Sequence, residues 1–107
     1  NLPEIVKNTF IDGFIFGPCD LSNSVGEHGD MFGRRTTALI EESIKTIKTT
    51  GKLIGVSIGS TDAEVIARWK NLGINMISSG VDCDYLLNDA MGTLKTLKAV
   101  FGKDAAH

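Results

Sequence analysis

A chain of 107 residues is long enough for one domain, and 42% hydrophobic with 22% charged residues is typical of a globular protein. Eleven basic and thirteen acidic side chains give a formal net charge of −2 and form no basic block that would bind nucleic acid or a membrane. No apolar run approaches the roughly 20 residues of a membrane-spanning helix. Cys19 and Cys83 fit no metal or redox spacing, so we predict a cytoplasmic protein with reduced thiols.

The predicted elements alternate, in the order helix, strand, helix, strand, helix, strand, helix. The chain opens on a helical pattern over residues 2–8, with Pro3 in its first turn. Three short apolar runs are nearly continuous rather than alternating, which is typical of strands buried on both faces. These predicted strands span residues 14–16, 53–58 and 74–79.

Three longer helices are predicted around these strands. The first spans about residues 36–50 and stops at Gly51. The second begins at Thr61, whose spacing to Glu64 predicts a capping box, in which each side chain accepts from a backbone N–H near the other. The third runs from near residue 84 to 101, and its apolar face is broader than one sheet surface requires. This last face indicates a partner as well as a core.

Strands joined by helical crossovers pair in parallel, and ligands of such sheets bind beyond the carboxyl ends of the strands. The three carboxyl ends here read GPCD, SIGST and SSGVD. Three strands are too few for a full α/β barrel, which takes about 250 residues, or for a doubly wound sheet, which usually has about five or six strands. We therefore predict that residues 1–107 form the last three βα units of something larger.

Asp20 follows the first predicted strand directly, on a turn that contains Gly17 and Pro18. One interpretation makes Asp20 or Ser22 the N-terminal cap of a short helix. The other makes Asp20 a ligand of a hard cation such as Mg²⁺ or Mn²⁺, which prefers carboxylate oxygens. The residue alone does not decide between them.

The opening segment NLPEIVKNTFIDGFIFGPCDLSNSVG resembles the HpcH/HpaI family of metal-dependent pyruvate aldolases. The later segments GKLIGVSI and NLGINMISSGVDCDYLL resemble that family in the same order, so the resemblance covers about residues 1–102. It implies strands six to eight of a TIM (β/α)8 barrel. It also implies aldol cleavage or condensation of 4-hydroxy-2-oxoacids, which gives pyruvate and an aldehyde.

The resemblance also implies roles for three residues. Asp20 would be a ligand of a divalent ion (Mg²⁺, Mn²⁺ or Co²⁺), and the backbone N–H of Cys19 would bind the carboxylate of pyruvate. Ser57 stands where family members have an apolar side chain beside the aldehyde portion of the substrate; its hydroxyl would bind a polar aldehyde or cap the next turn. The final helix would pack against a neighbouring subunit and form a homo-oligomer.

Two departures from the family pattern limit these expectations. The loop GEHGDMFGRRTT is shorter than usual and lacks a His-Pro pair. The second metal-ligating glutamate and the catalytic arginine and histidine would lie upstream of Asn1, so no catalytic residue is assigned and the chain alone is expected to be inactive. Two alternatives remain: a small module that binds phosphate on the amides of Ser79 and Gly80, and a non-catalytic assembly module that uses the final helix.

Overall fold

The computed structural model describes residues 1–102, and the last five positions of the predicted 1–107 segment, His107 among them, lie outside the described residues. The described part contains three strands and five helices. Their bounds are α1 Leu2–Ile5, β1 Gly13–Phe16, α2 Pro18–Ser24, α3 Arg34–Lys48, β2 Leu53–Ile58, α4 Ala63–Leu72, β3 Met76–Ser79 and α5 Asp82–Phe101. No helix within these residues is both long and apolar enough to cross a membrane.

The three strands form one parallel sheet, as predicted, and their order in it is β1-β2-β3. Ile15 of β1 is level with Gly55 of β2, which is level with Met76 of β3. The helix α3 connects the first two strands and α4 connects the last two. All three carboxyl ends therefore lie along one edge of the sheet.

The core lies between one face of the sheet and the helices α3 and α4. Alternate residues of the central strand β2 are buried there, because successive side chains of a strand point to opposite faces. Trp69 of α4 is fully buried in the same cluster. The buried members are Val6, Ile40, Ile44, Ile47, Ile54, Val56, Ile58, Trp69 and Ile74.

The opposite face of the sheet is open in the described part of the chain, so the prediction of strands buried on both faces is wrong here. Ile15, Leu53 and Met76 are all exposed. A Cβ placed on Gly55 would come within 2.8 Å of the Met76 terminal methyl and 3.1 Å of Ile15 Cγ1, so these two side chains lie over the glycine. The reason for the exposure is that α3 and α4 cover one side only.

The long helix α5 contributes no buried residue. Its first turn is tied to the sheet by the Tyr85 hydroxyl, which donates a 3.0 Å hydrogen bond to the carbonyl of Ser79. The helix projects from the sheet, and the chain with this helix included has principal extents of 62 × 28 × 21 Å. The prediction that the broad apolar face packs partly on the core is therefore wrong for the described residues, and all of that face is available to a partner.

Helix α4 is capped by a different residue from the one predicted. Its N-cap is Asp62, whose Oδ1 accepts hydrogen bonds from the amides of Glu64 and Val65 at 2.9 and 3.1 Å. The predicted capping box from Thr61 to Glu64 is wrong because the carboxylate next to Thr61 already reaches both free amides. The helix ends at Leu72, and its C-cap is Gly73, whose φ of 97° favours glycine.

We predict that Ile58→Ala and Ile15→Ala, which remove the same atoms from opposite faces of the sheet, differ sharply in their effect. Ile58 is 5% exposed in the core, so its truncation should lower the free energy of unfolding by about 2–5 kcal/mol. Ile15 is 58% exposed, and its truncation should cost much less. Urea unfolding followed by the fluorescence of Trp69, the single tryptophan, measures both. Equal losses would contradict the assignment of the core to one face.

Candidate functional site

The turn that carries Asp20 begins where β1 ends. Gly17 is the N-cap of α2 and Pro18 is its first residue, so Asp20 lies inside the first helical turn. The exposed Asp20 side chain accepts no hydrogen bond from any described residue. The interpretation of Asp20 or Ser22 as a cap is therefore wrong, because α2 starts before both of them and the Ser22 hydroxyl is bonded elsewhere.

The Asp20 carboxylate lies beside the α-carbon of Gly17. A Cβ built on Gly17 would be 3.2 Å from Asp20 Oδ2, which is closer than almost all real contacts of that kind. The absence of a side chain at Gly17 thus leaves room for the carboxylate at the end of β1. An exposed carboxylate without hydrogen bonds is a suitable hard ligand for Mg²⁺ or Mn²⁺.

Two backbone N–H groups accompany this carboxylate. The amides of Cys19 and Asp20 donate to no acceptor among residues 1–102, whereas the next amide, that of Leu21, donates to the carbonyl of Gly17 at 3.0 Å. The Cys19 thiol is free and exposed. The turn therefore combines one carboxylate with two N–H groups that can bind an anion.

A pair of hydroxyl groups lies at the same edge of the sheet. Ser57 is level with Ser78 in the neighbouring strand, and both are exposed. One position earlier, Val56 is level with Phe16, so Gly17 follows next to Ser57. Neither serine hydroxyl makes a hydrogen bond in the described structure, so the expectation that Ser57 caps the next turn is wrong. Ser78 could not be identified as a site residue from the sequence, because only the strand register places it beside Ser57.

The carboxyl end of β3 does not suit a phosphate. The amide of Gly80 already donates to the carbonyl of Ile58 at 3.1 Å, and the Tyr85 ring lies over this glycine. Asp82 and Asp84 add two negative charges to the first turn of α5. Repulsion and the occupied amide both argue against the predicted phosphate site.

Asp20 is the one carboxylate at the end of β1. Over residues 1–102, no three His, Cys, Asp or Glu side chains come together in a group that could hold a metal ion. Mg²⁺ and Mn²⁺ are commonly bound through one or two carboxylates, with water and substrate oxygens in the other positions. This part of the chain thus offers one carboxylate toward such a site.

The loop after α2 is held by Glu27, which sequence reasoning did not single out. Its carboxylate accepts from the amides of Arg35 and Thr36 at 2.9 and 2.8 Å, and from the Thr36 hydroxyl at 2.7 Å. These amides belong to the first turn of α3, whose N-cap Gly33 has no side chain to offer. The backbone N–H of Arg35, and then that of Thr36, lower the pKa of the Glu27 carboxyl, against the opposing effect of burial.

No family model matches the chain. It is 34% identical over 87 residues to a hydroxypyruvate/pyruvate aldolase from Pseudomonas aeruginosa, and the aligned region is 81% of this chain and 32% of that protein. It is 33% identical over 105 residues to a 4-hydroxy-2-oxo-heptane-1,7-dioate aldolase from Escherichia coli, and the aligned region is 98% of this chain and 38% of that protein. The chain thus spans about a third of the length of the curated relatives it matches.

Two solved structures have the same fold over nine-tenths of the chain. An HpcH/HpaI aldolase from Desulfitobacterium hafniense DCB-2 superposes with a TM-score of 0.78 at 25% identity, over 91% of this chain and 37% of that one. An HpcH/HpaI aldolase/citrate lyase family protein from Burkholderia cenocepacia J2315 gives a TM-score of 0.80 at 22% identity, with the same coverage. The predicted fold class, three parallel βα units of a larger TIM barrel, is confirmed.

We predict that Glu27 makes stability depend on pH in a specific window. Because its pKa in the folded chain lies below the ordinary 4.5, the ionised carboxylate stabilises the fold above pH 4.5, and this contribution is lost as the pH falls through the folded pKa. Glu27→Gln should therefore be less stable than the wild type at pH 7, with a difference that shrinks in acid. Glu41→Gln, on the exposed side of α3, is the matched control. Parallel stability curves for wild type and Glu27→Gln would contradict the prediction.

Proposed function

We propose that this chain, which is related to the HpcH/HpaI aldolases, forms the C-terminal portion of a divalent-metal-dependent pyruvate aldolase. The relatives confirm the family resemblance inferred from the sequence. The reaction would be the reversible aldol cleavage of a 4-hydroxy-2-oxoacid to pyruvate and an aldehyde. The observation that carries the proposal is the Asp20 carboxylate, free of hydrogen bonds and next to two free amides at the carboxyl end of a parallel strand.

In this proposal Asp20 holds the divalent ion (Mg²⁺, Mn²⁺ or Co²⁺) and the amides of Cys19 and Asp20 bind the carboxylate of pyruvate. A bound divalent ion supplies Lewis-acid stabilisation of the enolate that forms when the carbon–carbon bond breaks. The two amides are fixed by the backbone of α2, so they stabilise the anion without reorganising. No residue of this chain is assigned to proton transfer.

Ser57 and its neighbour Ser78 would face the aldehyde portion of the substrate. Both serines are exposed. Ser57 lies next to Gly17 in the neighbouring strand, and Ser78 is level with Ser57 on its other side. The Asp20 carboxylate lies beside Gly17. Their hydroxyl groups are free to hydrogen-bond a ligand. This pair favours an aldehyde with polar substituents over a purely aliphatic one.

The remainder of the site would come from polypeptide outside this chain. A second carboxylate, an arginine and a histidine are required by the proposal, and the open face with Ile15, Leu53 and Met76 would be covered by the other strands of the barrel. Barrel interiors are filled by such bulky side chains. We therefore expect the 107-residue chain to be inactive alone, and we expect the whole protein to be cytoplasmic.

The helix α5 would join two copies of the protein. Its exposed apolar residues include Leu87, Leu94, Leu97 and Phe101, which follow one another at spacings of seven, three and four residues and so lie on one side of the helix. The same surface would also serve a non-catalytic assembly module, which is the second candidate function. Metal binding at Asp20 distinguishes the two.

We predict that the chain binds Mn²⁺ weakly and that Asp20→Asn removes this binding. Loss of a direct ligand should weaken the affinity more than about tenfold, since even outer-shell changes at metal sites cost about 10–100-fold. Asp12→Asn, at the amino end of the same strand, is the matched control and should bind as the wild type does. Titration of the chain with Mn²⁺, with the free ion measured by electron paramagnetic resonance, gives the affinities.

Equal Mn²⁺ affinity in wild type and Asp20→Asn would count against the proposal. The coding sequence upstream of Asn1 provides an independent check. A glutamate at the end of another apolar strand shortly before Asn1 would supply the second carboxylate. A start codon at that point, or a strand end without a carboxylate, would favour the assembly module.

We predict further that the chain associates through α5. Leu94→Glu places a charge on the apolar side and should weaken self-association, whereas Thr96→Glu, on the other side of the helix, should leave it unchanged. Sedimentation velocity over a range of concentrations measures the effect. A wild-type chain that stays monomeric at every concentration, or two variants that behave alike, would contradict this prediction.

A further inference from the structure

The loop after α2 is bonded to the turn that carries Asp20 through one buried serine. Ser22 is 0% exposed, and its hydroxyl donates to the carbonyl of Cys19 at 2.6 Å and accepts from the amide of Gly29 at 2.8 Å. Its own carbonyl accepts from the amide of Glu27 at 2.8 Å. The residue before Asp20 is thus connected to the loop by three hydrogen bonds that meet at Ser22.

Glu27 connects this unit to α3. Its backbone N–H binds α2, while its carboxylate binds Thr36, which is also 0% exposed, and the amide of Arg35. A side chain at Gly33 would occupy the space that the carboxylate fills. Because α3 is anchored in the core by three buried isoleucines, Glu27 joins the short helix to the most firmly packed helix of the chain.

The short helix needs such support. Helix α2 has seven residues and no side-chain cap, and helices of that length are unstable in isolation. Its two buried residues are Pro18 and Ser22, whereas Cys19 and Asp20 are exposed. The conformation of the turn around Asp20 therefore depends on hydrogen bonds from outside the helix.

We propose that Glu27 is a positioning residue for Asp20, acting through Ser22 to hold the turn from Gly17 to Leu21 in the conformation that presents the carboxylate. The effect of Glu27 on metal binding rests on the function proposed above. Its effect on the conformation of the turn does not, and it is tested separately. Glu27 does not contact the ligand in this proposal.

The first test measures the turn itself, by amide hydrogen exchange of the whole 107-residue chain. The Leu21 amide donates to the carbonyl of Gly17 and so closes the turn around Asp20. In Glu27→Gln its exchange should be at least several-fold faster than in the wild type, and in the matched control Glu41→Gln it should be unchanged. Thr36→Val should act like Glu27→Gln, and Thr36→Ser, which keeps the hydroxyl, should restore slow exchange. Unchanged Leu21 exchange in both Glu27→Gln and Thr36→Val would overturn the proposal.

The second test uses Mn²⁺ as the probe, at a temperature at which circular dichroism and Trp69 fluorescence show every variant fully folded. Glu27→Gln and Thr36→Val should bind Mn²⁺ several-fold more weakly than Glu41→Gln and Thr36→Ser. If Asp20→Asn abolishes binding but Glu27→Gln and Thr36→Val bind as the wild type does, the positioning role is overturned and the metal site stands. If Asp20→Asn binds as the wild type does, the proposed function fails, and Leu21 exchange alone decides the positioning role.

Discussion

The central strand β2 is the element on which the rest of the structure depends, because it pairs with both other strands. One face of this strand carries Ile54, Val56 and Ile58 into the core, and the helices on either side of it in sequence pack on that face. Its register with β1 and β3 fixes which residues are level at the carboxyl edge. The relative positions of the turn at Gly17 and the serines at positions 57 and 78 follow from that register.

Polar groups without partners occur at this carboxyl edge for a physical reason. Along the central strand the backbone groups are paired on both sides, and inside the crossover helices they pair with one another. The amides of Cys19 and Asp20 belong to the first turn of α2, where backbone N–H groups have no acceptor within the helix. A carboxylate and hydroxyl groups at the same level then give one region with both a cation ligand and anion-binding donors. The proposed metal and pyruvate roles use this combination, and the proposed role of Glu27 is to hold the turn that carries it.

The sequence predicted the three strands and their parallel pairing because those features depend on local hydrophobicity and on general rules of connection. It could not predict that one face of the sheet is open, since apolar side chains such as Ile15 read the same whether or not another part of a protein covers them. The cap of α4 was misplaced by one residue because Thr61 and Asp62 are both good caps, and only the backbone geometry decides which carries the bonds.

In the candidate site, too, some residues could be identified from the sequence and others only from the structure. Asp20, Cys19 and Ser57 were identified through the family resemblance, and the structure places all three at one edge. Ser78 and Glu27 were not identified, because each acquires its meaning from a partner distant in sequence: Ser57 for the first, and the start of α3 for the second. The loop between α2 and α3 departs from the family pattern, so the resemblance carried no information about how it is held.

The two outer strands have a consequence for how the chain behaves outside a larger protein. In the described residues, β1 and β3 each pair on one side only, so both edges of the sheet present backbone N–H and C=O groups without strand partners. Such edges are templates for further strands, and here they border an uncovered apolar face. The unpaired backbone groups that would join further strands of a barrel would, in the separate chain, pair with strands of other copies. The isolated chain should therefore self-associate through its sheet edges as well as through α5.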